Sequence, residues 1–315
     1  MSVQAPDAGT TGGAAAGAAV PAPVRVETPL KRFVSDYAES PLAVVAFIVF
    51  LAIVAVALLA PWIAPQNPYD LAQVSILDSR LPPGEVSMEG YTFLLGTDGA
   101  GRDMFSAILY GLRISLAVGV FSGILAMTVG MAIGLIAAYS GGRVESVIMR
   151  IVDLQLSFPA VLVALMLVAI LGKGIDKIII ALIIVQWAYY ARTVRGNALV
   201  ERRKEYVEAA QCLGLPHRRV VFRHILPNCL APLIVVATVQ TAHAISLEAT
   251  LSFLGLGLPP TEPSLGLLIA NGFQYMLSGS YWISIFPGLA LLITIVAINL
   301  VGDQLRDVLN PRLRR

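Results

Sequence analysis

Six stretches of this chain are apolar over a length that crosses a lipid bilayer, and that pattern removes most folds from consideration. They cover residues 41–63, 112–138, 147–171, 175–193, 229–253 and 283–302, each close to or above the roughly 20 residues that a spanning helix needs. Backbone N–H and C=O groups in hydrocarbon have no water to pair with, so such segments must satisfy their own hydrogen bonds. The expected fold is therefore an all-α integral membrane protein of six helices. Composition agrees: 57% of residues are hydrophobic and 13% charged, against about 25% charged in soluble domains, and the mean hydropathy is +0.77.

Residues 1–40 read as a disordered tail, because Gly9–Gly17 and Pro21, Pro23 and Pro29 leave few bulky apolar groups to bury. Arg25 is the first basic residue and the apolar run after it is of full membrane length, which predicts a retained anchor at 41–63 rather than a cleaved leader. An outer segment at 64–111, a core at 112–302 and a short tail at 303–315 complete the expected organisation. With both ends on one side, 17 of the 22 Lys and Arg fall on that side. Retention of basic loops during insertion makes it cytoplasmic. No nucleic-acid partner is expected, only membrane lipid around the spans.

The cytoplasmic loop 201–227 has more than charge. Glu205 and Glu208 stand one turn apart, Ala209, Ala210, Cys212 and Leu213 form a small apolar side, and Gly214 supplies a left-handed stop. Pro216 suits the first position of a second helix. That helix should reach about Ile225, with Val221 and Ile225 aligned on one side, Arg219 and Arg223 on the other, and Pro227 breaking it. Many basic loops are topological signals alone; a helix-Gly-helix knuckle is also a shape that a partner can grip.

Glu208-Ala-Ala-x-x-x-Gly214, followed after ten residues by Ile225-Leu226-Pro227, resembles the EAA loop of permease subunits in binding-protein-dependent ABC importers. His224 stands where isoleucine is usual. Leu95-Gly-Thr-Asp-Gly-Ala-Gly-Arg-Asp103, Asp153-Leu-Gln-Leu-Ser-Phe-Pro159, Leu251-Ser-Phe-Leu-Gly-Leu-Gly257 with Pro259-Pro260, and Gly302-Asp-Gln-Leu-Arg-Asp307 with Pro311-Arg-Leu-Arg are similar to the dipeptide/oligopeptide/nickel branch, second (C-type) subunit. Leu265 and Asn310 depart from that pattern. The resemblance implies a six-helix type I importer transmembrane domain in a bacterial inner membrane. It also implies a heterodimer with a homologous permease, two ATPase subunits below and a substrate-binding protein outside. ATP and Mg would sit on the ATPases, with no cofactor or metal on this chain. Glu205, Glu208, Ala209, Ala210, Gly214, Leu215, Pro216, His217, Arg218 and Arg219 would form the docking site. Peptides are the implied cargo, with a nickel chelate, glutathione or an opine-like solute as alternatives.

Catalytic chemistry is not legible. Gly172-Lys173-Gly174 lacks the rest of a phosphate-binding loop. His217, His224 and His243 have no metalloprotease spacing, and Cys212 and Cys229 no zinc-knuckle spacing. Polar residues inside spans are costly and tend to face a wet path or a neighbouring helix. Gln155, Gln186, Gln240, His243, Glu248 and Asn299 are the pathway candidates, with Asp153 near the cytoplasmic edge, and simple helix-to-helix hydrogen bonding is the competing explanation for each. Gly119, Gly123, Gly130 and Gly134 predict close helix packing. Pro159 and Pro287 predict kinks, and Pro232 the start of a span. The outer segments, 64–104 and 255–281, offer surface for an external partner. A self-contained secondary transporter or a channel subunit would also have spans of this kind, but neither accounts for the knuckle.

Overall fold

The computed structural model describes residues 28–87, 90–259 and 262–309. The described residues hold α1 (Pro29–Ala38), α2 (Pro41–Leu58), α3 (Ala60–Ile63), α4 (Met104–Ser140), α5 (Gly142–Ser157), α6 (Ala160–Leu171), α7 (Ile175–Arg202), α8 (Glu205–Cys212), α9 (His217–Val220), α10 (Leu226–Phe253), α11 (Leu265–Phe273) and α12 (Trp282–Leu309). A π-helical turn, Val221–Ile225, joins α9 to α10. Five helices are long and apolar enough to cross a membrane, and α5 with α6 makes a sixth span if that pair, bent by 91°, is counted as one.

The centre is α4 against α7, and glycine sets their separation. A Cβ on Gly130 would lie 2.4 Å from the Trp187 carbonyl oxygen, and one on Gly134 2.6 Å from that of Ala191. The same helix meets α10 at Gly119, where a Cβ would lie 2.6 Å from Ile245 Cγ1. Small residues let the backbones approach, which is how helices gain packing energy where lipid removes the hydrophobic incentive. Around this centre α2, α11 and α12 close one side, with Ala57, Met104, Leu265, Leu268, Trp282 and Ile283 buried together.

Several boundaries differ from the sequence expectation. Pro29–Ala38, placed in a tail, is helical: Pro29 opens it, the Tyr37 hydroxyl donates to the Ala43 carbonyl at 3.3 Å, and its ring meets Phe47 edge-on. Residues 1–27 and 310–315 lie outside the described residues, whereas 303–309 continue α12. The second span begins at Met104 rather than 112, and the fourth runs to Arg202 rather than 193. Charge does not stop α7, because Arg195 Nε bonds Glu145 Oε1 at 2.8 Å and Arg192 pairs with Asp153, both on α5. Phe158 and Pro159 are extended at the α5–α6 break, as expected for proline and the residue before it. Pro227, Pro232 and Pro287 all sit within helices.

The Leu95–Asp103 motif forms a knot that caps α4. Asp98 Oδ1 accepts from the Ala100 and Arg102 amides at 2.8 and 2.9 Å, and Asp98 Oδ2 lies 3.1 Å from Arg102 Nε. Trp282 Nε1 donates to the Thr97 carbonyl at 3.2 Å, fastening the knot to α12. Asp103, fully buried, accepts from the Phe105 and Ser106 amides and from Ser106 Oγ. Asp103→Ala removes the cap and leaves buried donors unpaired, so thermal unfolding in detergent should show a loss of about 1–2 kcal/mol, with Asp103→Asn closer to wild type.

Candidate functional site

The loop between α7 and α10 folds as a hairpin whose bend is fixed by Gly214. At φ +71° this residue occupies the left-handed region that side chains resist. The Gly214 amide donates to the Gln211 carbonyl at 2.9 Å and the Leu215 amide to the Ala210 carbonyl at 3.2 Å. This is the double bond pattern of a Schellman stop. Pro216 then caps α9 in an extended conformation, one residue ahead of the helical position expected for it, and accepts from the Arg219 amide at 2.8 Å.

Two faces result. Val207, Ala210, Val220 and Ile225 are buried with Leu135, Ala138, Val194 and Ala198 of α4 and α7, and Leu215 packs at their edge. Full burial of each aliphatic side chain is worth up to about 1.5–3 kcal/mol, so the base of the hairpin is rooted in the membrane bundle. Ala210, counted in the docking set, is a root residue at 5% exposure. The opposite face presents Glu205, Glu208, Ala209, Cys212 and Leu213 to solvent, Leu213 at 80% exposure. Those positions recur at helical spacing, one stripe along α8. Both glutamates lie in the first turn of α8, where the helix dipole favours negative charge. Arg218, Arg219 and His217 are exposed on α9.

Two polar clusters brace the hairpin. Glu201 accepts from Lys204 Nζ at 2.8 Å and from the Tyr206 hydroxyl at 3.1 Å, and Asn228 Nδ2 donates to that hydroxyl at 3.0 Å and to the His224 carbonyl at 2.7 Å. Burial, followed by the Glu201 carboxylate, pushes the Tyr206 hydroxyl up to about 12, so it remains a neutral donor. On the other side Arg202 Nη1 donates to the Ala138 and Tyr139 carbonyls at 3.2 Å each, and the Tyr139 hydroxyl hydrogen-bonds His217 Nδ1. Sequence reasoning named His217 but missed Glu201, Tyr206, Asn228, Tyr139 and Arg202.

The second helix of the hairpin does not end at Pro227. The Leu226 amide reaches the Val221 carbonyl, a five-residue step that widens the turn and absorbs the missing proline N–H. The stretch His217–Phe253 is therefore one continuous rod from hairpin to far side, with Pro232 inside it rather than at its start.

Above the hairpin a cavity of about 1220 Å³ opens between α7, α10 and α12. Its lining runs from Gln240 and His243 on α10 to Lys204 and Arg306 at the hairpin end. Of the polar residues singled out earlier, only those two on α10 line it. Glu248 is fully buried and accepts from Ser115 Oγ at 2.9 Å and Ser252 Oγ at 2.8 Å. Gln186 Nε2 donates to the Gln240 carbonyl at 3.2 Å and Gln155 Nε2 to the Ile184 carbonyl at 3.2 Å, both bonds between helices. Asn299 is half-buried outside the cavity lining. Among the described residues there is no cluster of His, Cys, Asp and Glu able to hold a metal.

A bundle of spanning helices, a chamber between them and a rooted hairpin on one side define a multi-pass membrane subunit built for transport. Residues 130–315 match the family model described as the inner membrane component of binding-protein-dependent transport systems, and residues 28–83 match the N-terminal transmembrane domain of oligopeptide transport permease C. The chain belongs to that family of inner-membrane transport components. It is 39% identical over 287 residues to the di/tripeptide transport system permease protein DppC of Pseudomonas aeruginosa, covering 91% of this chain and 93% of that one. It is 41% identical over 296 residues to the dipeptide transport system permease protein DppC of Escherichia coli K12, covering 94% and 97%. Similarity extends to the glutathione transport system permease protein GsiD of Pectobacterium atrosepticum, 38% identical over 289 residues, covering 92% and 93%. The inward-facing MetNI methionine ABC transporter shares the fold, with a TM-score of 0.54 over 65% of this chain and 97% of that one at 22% identity.

Proposed function

We propose that this chain is one permease half of an ATP-driven peptide importer and that its Glu205–Ile225 hairpin is the site where an ATPase subunit docks. The observation that carries the reading is the division of the hairpin into a buried root and an exposed stripe. Glu205, Glu208, Ala209, Cys212 and Leu213 project from a base that cannot move without moving α7 and α10. A free topological loop would need neither the root nor the Schellman bend. In this reading the hairpin side is cytoplasmic, both termini lie there, and the membrane is the bacterial inner membrane, in keeping with the basic bias of the loops. ATP and Mg belong to the two ATPases, so this chain is not itself catalytic. A homologous permease covers the open side of the chamber, and a binding protein delivers cargo to the outer face.

In this reading Gln240, His243 and Arg306, which line the chamber, stand along the exit path. Di- or tripeptides are the cargo favoured by the names of the relatives at 39–41% identity. Glutathione, itself a tripeptide, has the support of one relative at 38%. The test is reconstitution. Co-expression with the second permease, the ATPases and the binding protein should give a complex that elutes together and imports peptide in vesicles only with ATP. Peptide uptake by this chain alone would contradict the reading.

A further inference from the structure

We propose that Tyr139 is a positioning residue that fixes the His217 end of the hairpin to the end of α4, so that a push on the hairpin enters α4 through a directed polar tie as well as through the apolar root. The chain connects the hairpin covalently only to α7 and α10. The apolar root of the hairpin also packs on Leu135 and Ala138 of α4, and Tyr139 adds a polar tie to that helix. It lies in the last turn of α4, 78 residues before His217, and its hydroxyl hydrogen-bonds the Nδ1 of that histidine with the two rings edge-on, centroids 5.3 Å apart. From the other side the Arg202 guanidinium, at the end of α7, lies 5.4 Å from the centre of the Tyr139 ring and donates to the Ala138 and Tyr139 carbonyls. A cation over an aromatic face and on the terminal carbonyls of a helix is favourable on both counts. Tyr139 is thereby held from two directions while its hydroxyl reaches the hairpin.

Further along, Gly130 and Gly134 lock α4 against α7 without room for a methyl group. A displacement received at His217 therefore passes into α4, 37 residues long, which also contacts α10 at Gly119 and Gly123. This inference rests on the proposal that the hairpin receives an ATPase.

The test uses the complete reconstituted importer and reads peptide imported per ATP hydrolysed. Tyr139→Phe keeps the ring and its contact with Arg202 and loses only the hydroxyl. We expect ATPase subunits to remain in the purified complex while peptide per ATP falls about fivefold, the scale of one lost hydrogen bond. His217→Leu should give the same loss, and the double variant should be no worse than either single one. His217→Asn, which restores a polar acceptor near Nδ1, should recover most of the coupling. An unchanged peptide-to-ATP ratio in Tyr139→Phe, or losses that multiply in the double variant, would overturn the inference. A wild-type complex that does not retain the ATPases would refute the docking proposal and this inference with it.

Discussion

Gly214→Val should leave the protein in the membrane at wild-type abundance and uncouple ATP hydrolysis from uptake. No heavy atom lies within 4 Å of the place a Cβ would occupy, so the cost is conformational and not steric. At φ +71° a side chain costs about 1–2 kcal/mol, and a β-branched one is disfavoured further. The chain escapes that cost by opening the bend, which breaks the bonds from the Gly214 and Leu215 amides and re-aims α8 against α9. Val207, Val220 and Ile225 remain buried in the bundle, so insertion and packing survive. Uptake should fall by roughly tenfold or more, the factor that about 1.4 kcal/mol represents. Glu208→Lys should act on the same step through charge, since Glu208 is exposed and makes no ion pair among the described residues. Wild-type uptake and ATPase activity in both variants would remove the hairpin from the coupling path.

A large effect on stability is expected at Gly130. Its Cβ position is 2.4 Å from the Trp187 carbonyl oxygen, 2.6 Å from Tyr190 Cβ and 2.9 Å from the Ala191 amide nitrogen. Two of those neighbours are backbone and cannot rotate away. Gly130→Ala must push α4 off α7, at the usual overpacking cost of about 1–3 kcal/mol, and Gly130→Leu should prevent accumulation of folded protein altogether. Gly196→Ala is the matched control: it lies on α7 with nothing within 4 Å, and should be neutral or stabilising by up to about 1 kcal/mol. Thermal unfolding of the purified variants in one detergent compares them directly. Equal midpoints for Gly130→Ala and Gly196→Ala would mean that the close approach of α4 and α7 is not a stabilising contact.

Hydropathy found the spans because lipid imposes a length and a polarity that few other environments demand. It misplaced the end of the fourth because Arg192, Arg195 and Arg202 lie within α7, where partners on other elements accept them: Asp153 for Arg192, Glu145 for Arg195, the α4 carbonyls for Arg202. No local pattern announces a partner 50 or 64 residues away. The hairpin was legible in outline, since Gly214 and Pro216 act through their own backbones. Ala210 was not, because which side of a short helix is rooted depends on Leu135, Val194 and Ala198 in other helices. Pro227 was misleading for a related reason: a π turn accommodates it, and that depends on the register of the helix before it. The polar residues of the spans divide in the same way. Gln240 and His243 reach the chamber, whereas Glu248 and Gln155 are spent on Ser115, Ser252 and the Ile184 carbonyl. Periodicity alone could not separate a residue that faces an opening from one that faces a neighbour.

Native Cys212 allows the docking proposal to be tested without mutation. It is exposed on the outward stripe of α8, while Cys229, the other cysteine, is buried in the root and serves as an internal control. Maleimide labelling from the hairpin side, with and without the ATPase subunits assembled, measures whether that stripe is covered. Protection of Cys212 on assembly, reversed when the ATPases are stripped away, is the predicted result; labelling of Cys212 at the same rate in both preparations would contradict the account.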